Sequence, residues 1–208
     1  MRVMRVFLSC WMLGASLLLA QPSHSATILV MGDSLSAGYG LPKDAGWVDL
    51  LARKVGTRHT VVNASVSGET SAGGVARLPQ ALGKHQPDIV LLELGANDGL
   101  RGLPLQATQN NLQRMIEQIA QSGAKAVLIG IQIPPNYGRQ YQQKFSQMYQ
   151  DLAKQEQVAF VPFLLAKVAN RKDLFQPDGL HPVAKAQPLL LDTVWPVLRP
   201  VLKTVKDK

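Results

Sequence analysis

Thr27-Ile28-Leu29-Val30-Met31 runs directly into Gly32-Asp33-Ser34-Leu35-Ser36-Ala37-Gly38. The first stretch is apolar and β-branched without alternation, the pattern of a strand covered on both faces. The second is a glycine-bounded turn opening a helix near Ser34, with Asp33 placed either to cap that helix or to hold the turn by accepting backbone hydrogen bonds. A turn of this kind can cradle a phosphate, present a nucleophilic serine or merely redirect the chain. Neither G-x-x-x-x-G-K-[ST] nor G-x-S-x-G occurs in the chain, which removes the P-loop and the usual α/β-hydrolase elbow.

Comparable apolar runs recur downstream at Thr60–Ala64, Ile89–Leu94, Ala126–Ile131 and Val158–Val161. Segments of helical spacing separate them. The clearest places Leu112, Met115, Ile116, Ile119 and Ala120 on one face, with Gly123 set to end it as a left-handed cap. Others cover about Trp47–Val55, Gly74–Leu82, Tyr141–Gln155 and Lys185–Leu202. Strands alternating with helices imply right-handed crossovers, so the chain is read as an α/β protein: a three-layer α/β/α sandwich around a five-stranded parallel sheet. Ligands bind such sheets beyond the carboxyl ends of the strands, and the residues just after each strand are the ones to search.

The 208 residues are 46% hydrophobic and 17% charged, enough for one well-packed domain and too apolar for disorder. No linker, repeat or charge block marks a second domain. The sole cysteine, Cys10, rules out an internal disulfide and a cysteine-rich zinc site. Residues 1–25 read as a cleavable export signal: Arg2 and Arg5, an apolar run from Val6 to Ala20, then Pro22 and small residues at Ser23 and Ser25. The run is shorter than the roughly twenty residues that span a bilayer, so the expected product is residues 26–208, periplasmic or secreted. Cys10 leaves with the signal, and the net charge becomes +8 less the two of Arg2 and Arg5, or +6. Basic residues are scattered singly, with few aromatics between them, so nucleic acid is not an expected partner. Lys203, Lys206 and Lys208 cluster only on the terminal tail. Transient contact with an anionic lipid surface is what the charge supports, with a monomer expected.

Three strand ends and one late loop carry candidate chemistry. They are the Ser34 turn, Asn63-Ala64-Ser65-Val66-Ser67-Gly68-Glu69-Thr70, Gly95-Ala96-Asn97-Asp98 and Asp178-Gly179-Leu180-His181-Pro182. Singly, each is a common cap or turn. In this chain order, Ser34, Gly68, Asn97 and His181 resemble the four blocks of the SGNH subgroup of GDSL hydrolases. The resemblance covers residues 26–208 and is strongest to the bacterial periplasmic multifunctional esterases with thioesterase, protease and lysophospholipase activity. Ala76-Arg77-Leu78-Pro79, Glu93-Leu94-Gly95, Asn97-Asp98-Gly99-Leu100-Arg101-Gly102 and Pro135-Asn136-Tyr137-Gly138 also carry it. Ala96 stands where relatives often have glycine. The family implies a flavodoxin-like fold.

The residue chemistry agrees with what the resemblance implies. Ser34 needs a base, and imidazole, which exchanges protons near neutrality, makes His181 the candidate. Asp178, three residues earlier on a glycine-containing turn, can accept from Nδ1 and fix the tautomer. The N–H groups of Ser34 and Gly68 and the Asn97 amide would receive the oxyanion, with glycine at 68 permitting close backbone approach. His59 and His85 show no partner pattern. No metal or other cofactor is expected, since no H-E-x-x-H occurs. Gly99–Pro104 and Ile133–Gly138 combine aliphatic side chains with glycine. Leu100, Leu103, Pro104, Pro135 and Tyr137 are the expected walls of an acyl groove, and the family implies that the first loop responds to the acyl chain. Expected substrates are acyl esters, thioesters and lysophospholipids. Polysaccharide O-deacetylation is the rival chemistry. A non-catalytic, flavodoxin-like phosphate binder is the rival from another class, and it leaves Asn97 and the Asp178–His181 pair unexplained.

Overall fold

The computed structural model describes residues 25–205. The leader, apart from Ser25, and the tail residues Lys206 and Lys208 lie outside them. Five strands, β1 (Thr27–Gly32), β2 (Thr60–Asn63), β3 (Ile89–Glu93), β4 (Lys125–Ile129) and β5 (Ala159–Val161), form one sheet in the order β2-β1-β3-β4-β5. Every pairing is parallel. Helices α1 (Ser34–Ala37), α2 (Trp47–Val55), α3 (Ser71–His85), α4 (Ala96–Leu100), α5 (Leu105–Gln121), α6 (Arg139–Gln155) and α7 (Gln187–Leu202) complete it.

Side chains alternate along each strand, and the sheet divides the core into two layers. Ile28, Val30, Ile89, Leu91, Val127 and Ile129 pack on Trp47 and Leu51 of α2 and on Leu190, Val194 and Leu198 of α7. Leu29, Met31, Val90, Leu92 and Leu128 pack on α3, α5 and α6 through Leu78, Leu112, Met115, Phe145 and Leu152. Each fully buried aliphatic side chain contributes about 1.5–3 kcal/mol. The central strands thus read as continuous apolar runs. Strand β2 departs from that pattern because it is an edge strand: Thr60 and Asn63 are exposed and only Val61 and Val62 face the two layers.

Helix bounds shift where caps decide them. Helix α3 begins before Gly74 because Thr70 Oγ1 accepts from Gly73 N at 3.3 Å, and it passes Leu82 until Gln86 turns left-handed. Gly123 does close α5, at φ +82°. The final pattern divides: Ala184–Ala186 form a 3₁₀ turn before α7 starts at Gln187. Helix α4, a single short turn after β3, escapes the periodicity because it is too short to show one.

The strand order reverses between β1 and β3, which opens a crevice at their carboxyl ends. The β3–α4 turn there depends on Gly95, at φ +113°, packed against the Tyr149 hydroxyl. Buried Tyr149 Oη donates to Leu94 O at 2.7 Å and fastens the turn to α6. Tyr149→Phe leaves that buried carbonyl without its donor, and urea unfolding is expected to show a loss of about 1–3 kcal/mol.

Candidate active site

Ser34 is the first residue of the one-turn helix α1, where backbone N–H groups have no intrahelical acceptor. Its Oγ lies 2.8 Å from His181 Nε2, and His181 Nδ1 lies 2.7 Å from Asp178 Oδ2. The chain of contacts joins residues 147 apart in sequence. Asp178 Oδ1 accepts from Leu180 N at 2.9 Å and from His181 N at 3.0 Å, so the carboxylate is held by the loop that carries the histidine. Desolvation pushes the Asp178 carboxyl up, but those hydrogen bonds and the imidazole outweigh it and hold it at about 2.

The histidine loop is fastened on several sides. Phe175 pairs with Pro182 in an antiparallel bridge, and Gln176 N donates to His181 O at 2.8 Å. Gln176 Nε2 reaches Tyr39 O at 2.9 Å, while the Tyr39 ring packs 4.7 Å from the imidazole. Gln187 Oε1 accepts from Trp47 N at 3.0 Å. Gln176, Gln187 and Tyr39 escaped the sequence reading because isolated glutamines and tyrosines carry no motif.

Gly68 and Asn97 reach the same crevice from the ends of β2 and β3. Gly68 adopts φ +78°, and a Cβ there would meet only Arg101 Nη2, at 3.8 Å. Left-handed backbone, more than close approach, is therefore what requires glycine at 68. Arg101 Nη2 donates to Gly68 O at 2.9 Å and ties the α4 loop across the site. The amide of Asn97, expected as the third donor, has both hydrogens engaged here: its Nδ2 donates to Asp33 Oδ2 at 3.0 Å and to Glu69 O at 2.9 Å. Asp33 takes the capping role, since Oδ1 accepts from Leu35 N at 3.0 Å, while its other oxygen is engaged by the Asn97 side chain.

The crevice has a volume of about 500 Å³ and runs from Ser34 past the ends of β4 and β5. Leu100 and Pro135 line it, together with Ile131, Ile133, Phe163 and Leu165. Leu103, Pro104 and Tyr137 do not. Leu103 and Tyr137 are each 38% exposed at the surface, and Pro104 precedes α5 as its cap. Tyr137 Oη instead donates to Leu100 O at 3.0 Å, which steadies a lining residue from behind. Phe163 and Leu165 follow β5 in a region with no spacing signal. Of the other histidines, His59 Nδ1 accepts from Ala26 N at 3.1 Å, a structural contact. No cluster suited to a metal occurs among the described residues.

Burial raises the Asp33 carboxyl to about 6 from its ordinary 3.8, against the opposing pull of Leu35 N–H, His181 and the Asn97 amide. A carboxyl that holds its proton more tightly when folded contributes stability that is complete below its unfolded pKa. That contribution is lost as the pH rises through the folded value. Asp33→Asn keeps a capping oxygen and has no proton to lose. Its melting temperature relative to the parent is expected to climb between about pH 4 and pH 8 in thermal scans.

Residues 30–187 match the family model of GDSL-like lipases and acylhydrolases. The chain is 49% identical over 191 residues to Esterase TesA of Pseudomonas aeruginosa, a match covering 90% of this chain and 95% of the relative. It is 42% identical over 186 residues to Thioesterase 1/protease 1/lysophospholipase L1 of Escherichia coli strain K12, covering 89% of each. The crystal structure of TesA shares the fold at a TM-score of 0.82 and 49% identity, across 84% of this chain and 99% of that one. The matched stretch contains the Ser34 turn, the β1–β3 crevice and the His181 loop, and the chain belongs to the GDSL-like lipase/acylhydrolase family.

Proposed function

We propose that the protein is an exported serine ester hydrolase that cleaves fatty acyl esters and thioesters through an acyl-Ser34 intermediate. The observation that carries it is the unbroken Asp178–His181–Ser34 hydrogen-bond chain at one end of an apolar crevice. Relatives named esterase and thioesterase/lysophospholipase support the substrate class.

Ser34 Oγ bonds to the acyl carbon as its proton passes to His181 Nε2. The tetrahedral oxyanion is met by the N–H groups of Ser34 and Gly68. Asn97 joins them by exchanging its bond to Asp33 for one to the oxyanion. Collapse breaks the C–O or C–S bond, and the leaving atom takes the proton from Nε2. Water, deprotonated by the same nitrogen, then attacks the acyl carbon, and as the Oγ–C bond breaks Ser34 Oγ takes that proton back from Nε2. Asp178 orients the imidazole and stabilises its charged form. Held at about 2, it is ionised at pH values well above that, so its titration does not set the limit of activity under mildly acid conditions.

A crevice walled by Ile131, Ile133, Phe163 and Leu165 offers far more apolar contact than an acetyl group uses, which favours acyl chains over polysaccharide deacetylation. Export rests on Arg2, Arg5 and the apolar run before Ser25. No helix among the described residues is long and apolar enough to cross a membrane. The surplus of cations supports transient approach to an anionic lipid surface where lysophospholipid substrates reside.

Ser34→Ala is expected to abolish turnover and fluorophosphonate labelling, and a labelled Ala variant would overturn the nucleophile assignment. In a series of p-nitrophenyl esters, Leu165→Ser is expected to lower kcat/KM for octanoate about tenfold relative to acetate. Leu103→Ser, whose side chain lies off the crevice, should leave the profile unchanged. N-terminal sequencing of the exported protein should begin at Ala26.

A further inference from the structure

We propose that Glu93 is a positioning residue for the nucleophile turn: from the end of β3 its carboxyl group holds the Asp33 amide and the Ser36 hydroxyl and so sets the direction of the Ser34 N–H and Oγ. It rests on Ser34 acting as nucleophile and oxyanion donor.

Glu93 sits opposite Gly32 in the β1–β3 register and is fully buried. A Cβ at residue 32 would come within 2.8 Å of Glu93 Oε2 and 2.7 Å of Ser36 Cβ, so the carboxyl group fits beneath the turn only because that residue is glycine. Oε2 accepts from Ser36 Oγ at 2.7 Å and from Asp33 N at 3.3 Å. These two donors flank Ser34, one residue before it and two after. Asn63 Nδ2, donating to Ser36 O at 2.8 Å, braces the same turn from β2. A backbone clamped on both sides of one residue leaves that residue's N–H little freedom, and small errors of aim at an oxyanion are costly.

The other oxygen, Oε1, is buried with no partner among the described residues. Burial first, and the neighbouring Asp33 charge second, push the Glu93 carboxyl well above its ordinary range. That direction suits its place. An ionised carboxylate behind the turn would oppose the oxyanion forming in front of it. Glutamine can offer the same acceptor oxygen to both donors, whereas leucine leaves the Asp33 amide and the Ser36 hydroxyl unpaired.

The test compares Glu93→Gln, Glu93→Leu and Ser36→Ala with the parent, using p-nitrophenyl butyrate kinetics, fluorophosphonate labelling rates and melting temperatures. Glu93→Gln is expected to keep kcat within about threefold. Glu93→Leu should lose about 10- to 100-fold in kcat and in labelling rate, with KM within about twofold. Ser36→Ala should fall between them. A folded Glu93→Leu protein with parental kcat overturns the proposal, as does Glu93→Gln being as impaired as Glu93→Leu. Should Glu93→Leu fail to fold, Ser36→Ala decides, and an unchanged kcat there overturns it. A parent enzyme that is not labelled at Ser34 would remove the nucleophile assignment and this inference together, while normal labelling with insensitive variants removes only the inference.

Discussion

The pairing of β1 with β3 is the contact on which the rest of the site depends. It reverses the direction of strand addition, so the loops after the two strands diverge and leave a crevice between them. It also sets Gly32 opposite Glu93, and one residue further each chain leaves the sheet. From that point Asp33 and Ser34 descend from one strand and Asn97 from its neighbour, close enough for Asn97 Nδ2 to reach Asp33. A register slip of one residue would turn every side chain of β1 to the opposite layer and carry this arrangement apart.

The histidine arrives by a different route. It lies on an irregular loop between β5 and α7, and irregular loops hold no position by backbone ladders alone. Here the loop is pinned by its own antiparallel bridge, by Gln176 to the Ser34 side of the crevice and by Gln187 of α7, which donates to Pro182 O and accepts from Trp47 N of α2. Each tether is a modest hydrogen bond. Their directions differ, and together they define where the imidazole stands relative to Oγ.

Buried acids gather behind the nucleophile. Asp33 and Glu93 are both desolvated; the Asp33 charge pushes the Glu93 carboxyl up further, and Asp98 does the same to Asp33. Asp98, also buried, takes two hydrogen bonds from Ser71 and ties α4 to the start of α3. A site that must stabilise developing negative charge is thus backed by carboxyl groups, and the conflict is lessened by burial that disfavours ionisation of Glu93 and by donors around Asp33 and Asp98. Asp178 shows the opposite balance: exposed and rich in donors, it remains ionised near neutrality.

The sheet, its two helical layers and the crevice at the strand ends were legible in the sequence, because strands covered on both faces leave continuous apolar runs and helices leave a period of 3.6 in local residue order. Ser34, Gly68, Asn97, Asp178 and His181 were singled out because four of them follow the chain order of a known family's blocks and the fifth shares the histidine's turn; each alone is a common cap or turn. The crevice walls were not: Leu103 and Tyr137 share a loop composition with Leu100 and Pro135, and only packing sends one pair outward and the other inward. Gln176, Phe163 and Leu165 likewise carry no local mark. Nor could the role of Glu93 be read from an apolar strand run in which it is merely the polar exception. Sequence by itself determined which elements form and which groups can do the chemistry, as both depend on near neighbours along the chain. Only the tertiary structure decided which side chains face the crevice, how Asn97 divides its hydrogens and which acids burial makes harder to ionise, because those depend on contacts between residues far apart in sequence.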